Sequence, residues 1–129
     1  MKTRMTVPVA SALLLVGAAL AACQSASQGE KLSAAQLRSD MPNTTATSTK
    51  GNWVVYNGAN GAATIKMAGK TDSGAYRVSD DGLWCLKFKS AFAGRELCDQ
   101  IYKEGSVYRS VHRDGTEDTW TLTPGTTGM

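Results

Sequence analysis

The chain has 129 residues and a formal net charge of +3, of which Lys2 and Arg4 near its start supply two units. Hydrophobic residues make up 42% and charged residues 19%, values that exclude a disordered, collagen-like or multi-span membrane protein. The length allows one small domain with one hydrophobic core, and the nearly neutral remainder gives no electrostatic reason to expect a nucleic-acid partner.

Residues 1–22 have the three parts of an export signal. Lys2 and Arg4 form a positive start, an apolar run extends from Val7 to Leu20, and small residues follow it. The run is shorter than the ~20 residues that a transmembrane helix requires. We therefore predict that residues 1–22 are a signal peptide.

The end of this segment, Leu20-Ala21-Ala22-Cys23, resembles the lipobox of bacterial lipoproteins at all four positions. The resemblance implies that Cys23 carries acyl chains such as palmitate and becomes the first mature residue. It also implies that the protein is anchored in a membrane of the bacterial cell envelope. Gln24 in place of aspartate favours the outer membrane by the same resemblance. The alternative is an ordinary secretory signal that leaves Cys23 as a free thiol.

Residues 23–30 are small and polar, and we predict a lipidated tether that leads to one domain over residues 31–129. A short N-terminal helix should begin after Ser33, because Gln36 can complete a capping box with it, and should end by Met41 before Pro42. Residues 43–52 are rich in threonine and serine and predict a loop or an irregular edge.

From Trp53 onward, short alternating runs separated by glycine-rich turns predict a mainly β fold. The expected strands are 53–57, 62–68, 75–79, 83–89, 97–103, 106–112 and 117–122. Turns are expected between them, among them one from Gly69 to Gly74. Such short connections favour an antiparallel meander that closes into a barrel or a sandwich.

Alternation along these strands predicts which side chains form the core. The expected core residues are Ile65, Met67, Tyr76, Val78, Trp84, Leu86, Phe88, Trp120 and Leu122. In the strand at 97–103, Asp99 falls on the same side as Leu97 and Ile101. We therefore expect Asp99 either at a strand end or beside a bulge.

The cysteine count predicts one disulfide. If Cys23 carries lipid, Cys85 and Cys98 remain as an even pair. Both fall on the outer face of neighbouring predicted strands, where a bridge can join them.

Candidate catalytic and metal-binding residues are few. His112 is the single histidine, and no motif for a metal, a nucleotide or a serine nucleophile is present, so we predict no catalytic residues, no metal and no cofactor. We expect His112 at the surface.

The pairs Asp80-Asp81 and Glu117-Asp118 are typical of solvated turns. A set of exposed cations could meet an anionic surface, although a solvated strand face is the simpler interpretation: Lys66, Lys70, Lys87, Lys89 and Arg95. The tryptophans Trp53, Trp84 and Trp120 could line a ligand cavity, or simply fill the core.

The segment from Gly74 to Cys85, with Cys98 after it, is similar to a family of small exported proteobacterial proteins of unknown function. Members carry glycine, valine, Asp-Gly and cysteine at this spacing, and the matching residues here are Gly74, Val78, Asp81, Gly82 and Cys85. Tyr76 stands where the family usually has tryptophan. The resemblance implies a small β fold and supplies no activity.

These features lead us to expect a non-enzymatic binding module, whose partner is another envelope component or a small ligand. One alternative is an inhibitor of a hydrolase, either a protease or a lysozyme, which would insert an exposed loop such as Ser90 to Glu96 or Gly69 to Gly74. An enzyme is the second alternative, and the lack of a catalytic constellation argues against it.

Overall fold

The structure is a computed structural model that describes residues 29–129. Within that range, one α-helix, α1, spans Ala34–Asp40, and a 3₁₀ turn spans Ala91–Gly94. Nine strands supply the rest of the regular structure: β1 (Glu30–Lys31), β2 (Thr44–Ser48), β3 (Trp53–Asn57), β4 (Ala62–Met67), β5 (Lys70–Val78), β6 (Leu83–Phe88), β7 (Leu97–Glu104), β8 (Val107–Val111) and β9 (Glu117–Pro124). The predicted signal peptide, the lipidation site Cys23 and residues 24–28 of the predicted tether lie outside the described residues.

Strands β2 to β9 form a closed antiparallel barrel. Each strand pairs with the next along the chain, and β9 returns to β2, with Leu122 opposite Ala46. The short β1 adds to β7, with Glu30 opposite Lys103. Closure pairs the backbone groups that an open sheet would leave at its edges. The prediction of a mainly β antiparallel meander is confirmed, and the closed form is a barrel.

The predicted helix is confirmed with its capping box. Ser33 Oγ accepts a hydrogen bond from the Gln36 backbone N–H, and Gln36 Oε1 accepts one from the Ser33 N–H, so two free donors at the helix start are paired. Because β1 precedes it, α1 is the second element of the domain rather than the first. No helix within residues 29–129 has the length and apolar character to cross a membrane.

The two ends of the barrel differ. Helix α1 lies at what we call the helix end, where Arg38 pairs with Asp80 just beyond β5 at 2.8 Å. Leu37 and Met41 of this segment are fully buried and belong to the barrel core, so they close this end. The opposite end, called the cavity end here, carries the β2–β3, β4–β5, β6–β7 and β8–β9 connections.

The side chains that alternation predicted form much of the barrel interior. Trp84 and Trp120 contact each other with ring centroids 5.1 Å apart, and Tyr108 stacks on Trp120 at 4.6 Å. All nine predicted core residues belong to this core. Five are buried and four pack against it partly buried: Ile65, Trp84, Leu86, Phe88 and Trp120 in the first group, and Met67, Tyr76, Val78 and Leu122 in the second.

Two predictions about local structure were wrong. Residues 43–52 contain β2 rather than only a loop, and the expected turn from Gly69 to Gly74 is mostly strand, because Ala68 and Gly69 alone form the hairpin turn with positive φ. Both segments lack the apolar alternation that indicates a strand. Gly74 lies inside β5, where a Cβ would clash with the Lys87 carbonyl oxygen, so only glycine allows this close approach of β5 and β6.

Candidate functional site

A cavity of about 250 Å³ lies inside the cavity end of the barrel. Eight apolar side chains form most of its wall: Trp53, Val55, Ile65, Met67, Trp84, Leu86, Phe92 and Leu97. The polar side chains of the wall are Asn52, Asp99, Ser110, His112 and Asp118. A barrel of eight strands has an interior that side chains can just fill or that can hold one small ligand. Helix α1 fills the helix end of the barrel, and the cavity occupies the opposite end.

The two tryptophans in the middle of the barrel differ in their hydrogen bonding. Trp120 Nε1 donates to Ser110 Oγ at 2.8 Å. Trp84 lines the cavity and is 2% exposed, and its Nε1 has no hydrogen-bond partner among the described residues. A buried polar group without a partner is rare in folded proteins and costs free energy. One side chain of the cavity wall therefore carries a buried donor that the protein itself leaves unsatisfied.

Three titratable side chains meet at the cavity end. His112 Nδ1 lies 2.8 Å from Asp99 Oδ1, and His112 Nε2 lies 2.8 Å from Asp118 Oδ2. Each group comes from a different segment: Asp99 from β7, His112 from the residue after β8, and Asp118 from β9. We call these residues the Asp-His-Asp cluster. A ring with both nitrogens against carboxylates favours the imidazolium form, in which both nitrogens donate.

The backbone explains why these side chains face inward. Asp99 lies on the same inward face of β7 as Leu97 and Ile101, and Asp118 shares its face of β9 with Trp120. His112 is fixed because its backbone N–H donates to the Thr116 carbonyl at 2.9 Å. Asp99 is thus an interior residue of a regular strand, near the start of β7, and no bulge is needed to account for it.

Burial and charge act in opposite directions within the Asp-His-Asp cluster. Burial lowers the pKa of His112, but the hydrogen bonds to Asp118 and Asp99 outweigh it and raise that pKa above its usual 6.5. Burial raises the pKa of Asp99 above its usual 3.8, against the opposing hydrogen bond from His112. When His112 is protonated, the cluster carries one net negative charge.

The connection between β6 and β7 forms part of the mouth. Phe92 lines the cavity and is 39% exposed, and Phe92 and Ala93 both have φ of 57° in the left-handed region. Such conformations cost of order 1 kcal/mol for each residue that is not glycine. Asp72 stabilises the start of this connection, because its Oδ2 accepts hydrogen bonds from the Ser90 and Ala91 N–H groups at 2.8 Å each.

The predicted disulfide is present in the structure. Cys85 and Cys98 lie directly opposite each other on β6 and β7, and their sulfur atoms are bonded at 2.09 Å. Glu96 lies close enough to form a possible three-ligand group with them. Sulfur atoms in a disulfide are not thiolates, so the pair as it stands has no ligand to offer a metal.

Other residues named from the sequence are separated by the fold. Asp80 and Asp81 occupy an exposed turn, where Asp80 pairs with Arg38 and Asp81 accepts a hydrogen bond from Ser79. Glu117 points outward to Arg109 at 2.8 Å, whereas its neighbour Asp118 points into the barrel. The five candidate cations are exposed: Lys66, Lys70, Lys87, Lys89 and Arg95.

The sequence did not predict the Asp-His-Asp cluster. We expected His112 at the surface, and its side chain is 27% exposed between two carboxylates. The one signal was Asp99, a charged residue on the apolar face of its strand. Trp53 and Trp84 line the cavity, while Trp120 belongs to the core.

Comparison of the chain with protein-family models, curated proteins and solved structures found no match. The resemblances to bacterial lipoproteins and to the exported proteobacterial family therefore stay predictions. The cavity end must be interpreted from its own geometry.

Proposed function

We propose that this protein is a non-enzymatic binding module, lipid-anchored through Cys23 in the bacterial cell envelope, which holds a small, largely apolar ligand inside its barrel. The observation that carries the proposal is the cavity of about 250 Å³ with eight apolar side chains in its wall. Ligand sites are concave, mostly apolar and furnished with a few polar groups that orient the ligand. The cavity end has each of these properties.

The arrangement of the cluster supports binding rather than catalysis. A general base needs a ring nitrogen within reach of the substrate proton. Both nitrogens of His112 are already occupied by Asp99 and Asp118 at 2.8 Å. In this arrangement the histidine joins β7 to β9 and shapes the mouth of the cavity.

A cavity-filling substitution tests the proposal. Val55 lines the cavity and is 2% exposed, while its neighbour Val54 lies on the outer face of β3. We expect Val55→Phe to reduce binding of the neutral fluorescent probe phenylnaphthylamine at least about tenfold, because added ring volume takes up the space that the probe needs. The control Val54→Phe adds the same volume outside and should leave binding unchanged. Equal binding by both variants would reject the cavity as the site, and circular dichroism checks that both fold.

The anchor is tested separately. Cys23→Ser removes the sulfur that the lipobox resemblance marks for acylation. The variant should move from the membrane fraction to the soluble fraction of its host, because each buried CH₂ of an acyl chain contributes ~0.8 kcal/mol to membrane binding. Continued membrane association would contradict anchoring through Cys23.

A hydrolase inhibitor is the second candidate, and one observation favours it. The connection from Ser90 to Glu96 presents the exposed ring of Phe92 on a backbone that Asp72 holds in place. A fixed loop of this kind suits insertion into an active site, because little ordering remains to be done on binding. Inhibition of a protease or a lysozyme that Phe92→Ala abolishes would support this function. No inhibition across both enzyme classes would reject it.

A further inference from the structure

We propose that the cavity selects a small amphipathic amine, whose apolar body lies inside the barrel and whose ammonium group binds Asp118 at the mouth. This inference rests on the proposed ligand-binding function and specifies the chemistry of the ligand. Three observations carry it: the charge of the wall, its aromatic content, and the position of Asp118 beside His112.

The charge of the wall is acidic. Among the described residues that line the cavity, Asp99, Asp118 and His112 are the titratable ones, and neither lysine nor arginine is present. Even with His112 protonated, one negative charge remains uncompensated. A carboxylate ligand would add a like charge within this apolar space, which is costly. A cation would complete the charge balance instead.

The apolar part of the wall also suits a cation with a hydrocarbon body. Trp53, Trp84 and Phe92 all line the cavity. Aromatic side chains bury large apolar surfaces, so they suit the hydrocarbon body of such a ligand. The cavity volume of about 250 Å³ lies just below the ~300 Å³ at which ligand pockets usually begin, so the body must be small.

Asp118 is the carboxylate that a ligand can reach. Its side chain is 31% exposed, compared with 10% for Asp99, and its Oδ2 contacts His112 Nε2 at 2.8 Å. A neutral histidine has only one N–H, so it can donate to only one of the two carboxylates. An ammonium group can then supply the missing charge-assisted hydrogen bond to Asp118.

Amine binding and protonation of His112 therefore compete. Two binding events that compete are linked, so the affinity for the amine should rise with pH through the titration of His112, and binding should release protons. Charged groups surround the imidazole ring of His112. Asp99 faces it from β7, Asp118 from β9 and Asp114 from the β8–β9 turn, and Glu96 and Arg113 line the adjoining groove outside.

Three probes with the same body test the inference on the full chain: phenylbutylamine, phenylbutanol and phenylbutanoate. Binding is measured by tryptophan fluorescence and by calorimetry in two buffers of different ionisation enthalpy. At about pH 9, where loss of the His112 proton is most advanced in the range tested, the amine should bind about tenfold more tightly than the alcohol, and the carboxylate should bind weakest. At about pH 5.5 the advantage of the amine should fall.

Two variants and one matched control locate the effect. Asp118→Asn should remove the preference for the amine while leaving alcohol binding intact, and retained alcohol binding shows that the variant folds. Glu117→Gln is the matched control, because Glu117 is adjacent in sequence but faces outward to Arg109. In His112→Gln the affinity for the amine should no longer vary with pH over this range.

The possible failures are distinguishable. Tighter binding of the alcohol or the carboxylate than of the amine would overturn the inference and leave the ligand-binding function standing. A preference for the amine that survives Asp118→Asn would overturn the assignment of Asp118. If none of the three probes binds, the inference fails, and the binding of phenylnaphthylamine then decides separately whether the proposed function stands.

Discussion

His112 ties the stability of the fold to pH, because one imidazole ring joins carboxylates from β7 and β9. Its pKa is raised in the folded protein by the hydrogen bonds to Asp118 and Asp99, which outweigh the opposing effect of burial. The stabilisation is therefore fully present below the ordinary histidine pKa of 6.5 and is lost as the pH rises through the higher folded value. The raised pKa of Asp99 acts with the same sign, since burial makes the folded protein hold that proton more strongly.

We expect His112→Gln to lower the free energy of unfolding by about 2 kcal/mol near pH 6, because charged hydrogen bonds within the barrel are lost. The deficit relative to the unmodified protein should shrink as the pH rises toward about 9. Urea unfolding across this range measures it. Asp80→Asn, which removes the exposed ion pair with Arg38, is the control and should cost less than about 1 kcal/mol throughout. A constant deficit for His112→Gln would contradict the linkage.

The disulfide acts at the scale of secondary structure, because it holds two neighbouring strands together. Cys85 and Cys98 join β6 to β7 across a sequence separation of 13 residues. Closing a loop of this length stabilises the fold by ~3 kcal/mol on the chain-entropy model. Asp99 follows Cys98 directly, so the bridge also fixes the part of β7 that carries the Asp-His-Asp cluster.

Reduction should therefore lower the melting temperature by about 10 °C or more. Differential scanning calorimetry with and without reductant measures this difference. The double variant Cys85→Ala, Cys98→Ala should melt at the lower temperature in both conditions, which separates loss of the bridge from other effects of the reductant. An unchanged melting temperature on reduction would contradict a stabilising bridge.

Strands with apolar alternation could be predicted from the sequence, and strands without it could not. In β6, the large apolar residues Trp84, Leu86 and Phe88 recur at every second position, and β6 lies where it was expected. The threonine-rich β2 has only Ala46 as an apolar inward residue, so its strand character depends on its neighbours β3 and β9. Propensity alone is a weak guide in such cases, because packing against neighbours decides the outcome.

The Asp-His-Asp cluster could not be predicted from the sequence, for a different reason. Asp99, His112 and Asp118 are distant from any motif, and they meet because β8 pairs with β7 on one side and with β9 on the other. Alternation did place Asp99 on an inward face. Alternation could not identify His112 as the hydrogen-bond partner that offsets the cost of burying this carboxylate, because that pairing depends on the register of β8 against β7.

At the scale of the whole molecule, a helix covers one end of the barrel. Leu37 is fully buried, and it belongs to the same core as Tyr108 and Trp120. Truncation of a buried leucine typically costs 2–5 kcal/mol, because the cavity that it leaves is only partly filled by relaxation. If α1 and the barrel unfold as one cooperative unit, this loss of stability must lower the unfolding free energy of the entire domain and not of the helix alone.

We therefore expect Leu37→Ala to shift the thermal unfolding of the domain to lower temperature as a single transition, with near-ultraviolet and far-ultraviolet circular dichroism coinciding. Ser39→Ala, at an exposed position of the same helix, is the matched control and should change little. Because the cavity lies at the other end, the folded variant should still bind phenylnaphthylamine. Separate melting of the helix, with the barrel unfolding at its original temperature, would show that the barrel does not need this cover. Loss of probe binding in the folded variant would show instead that the two ends of the barrel are coupled through the core.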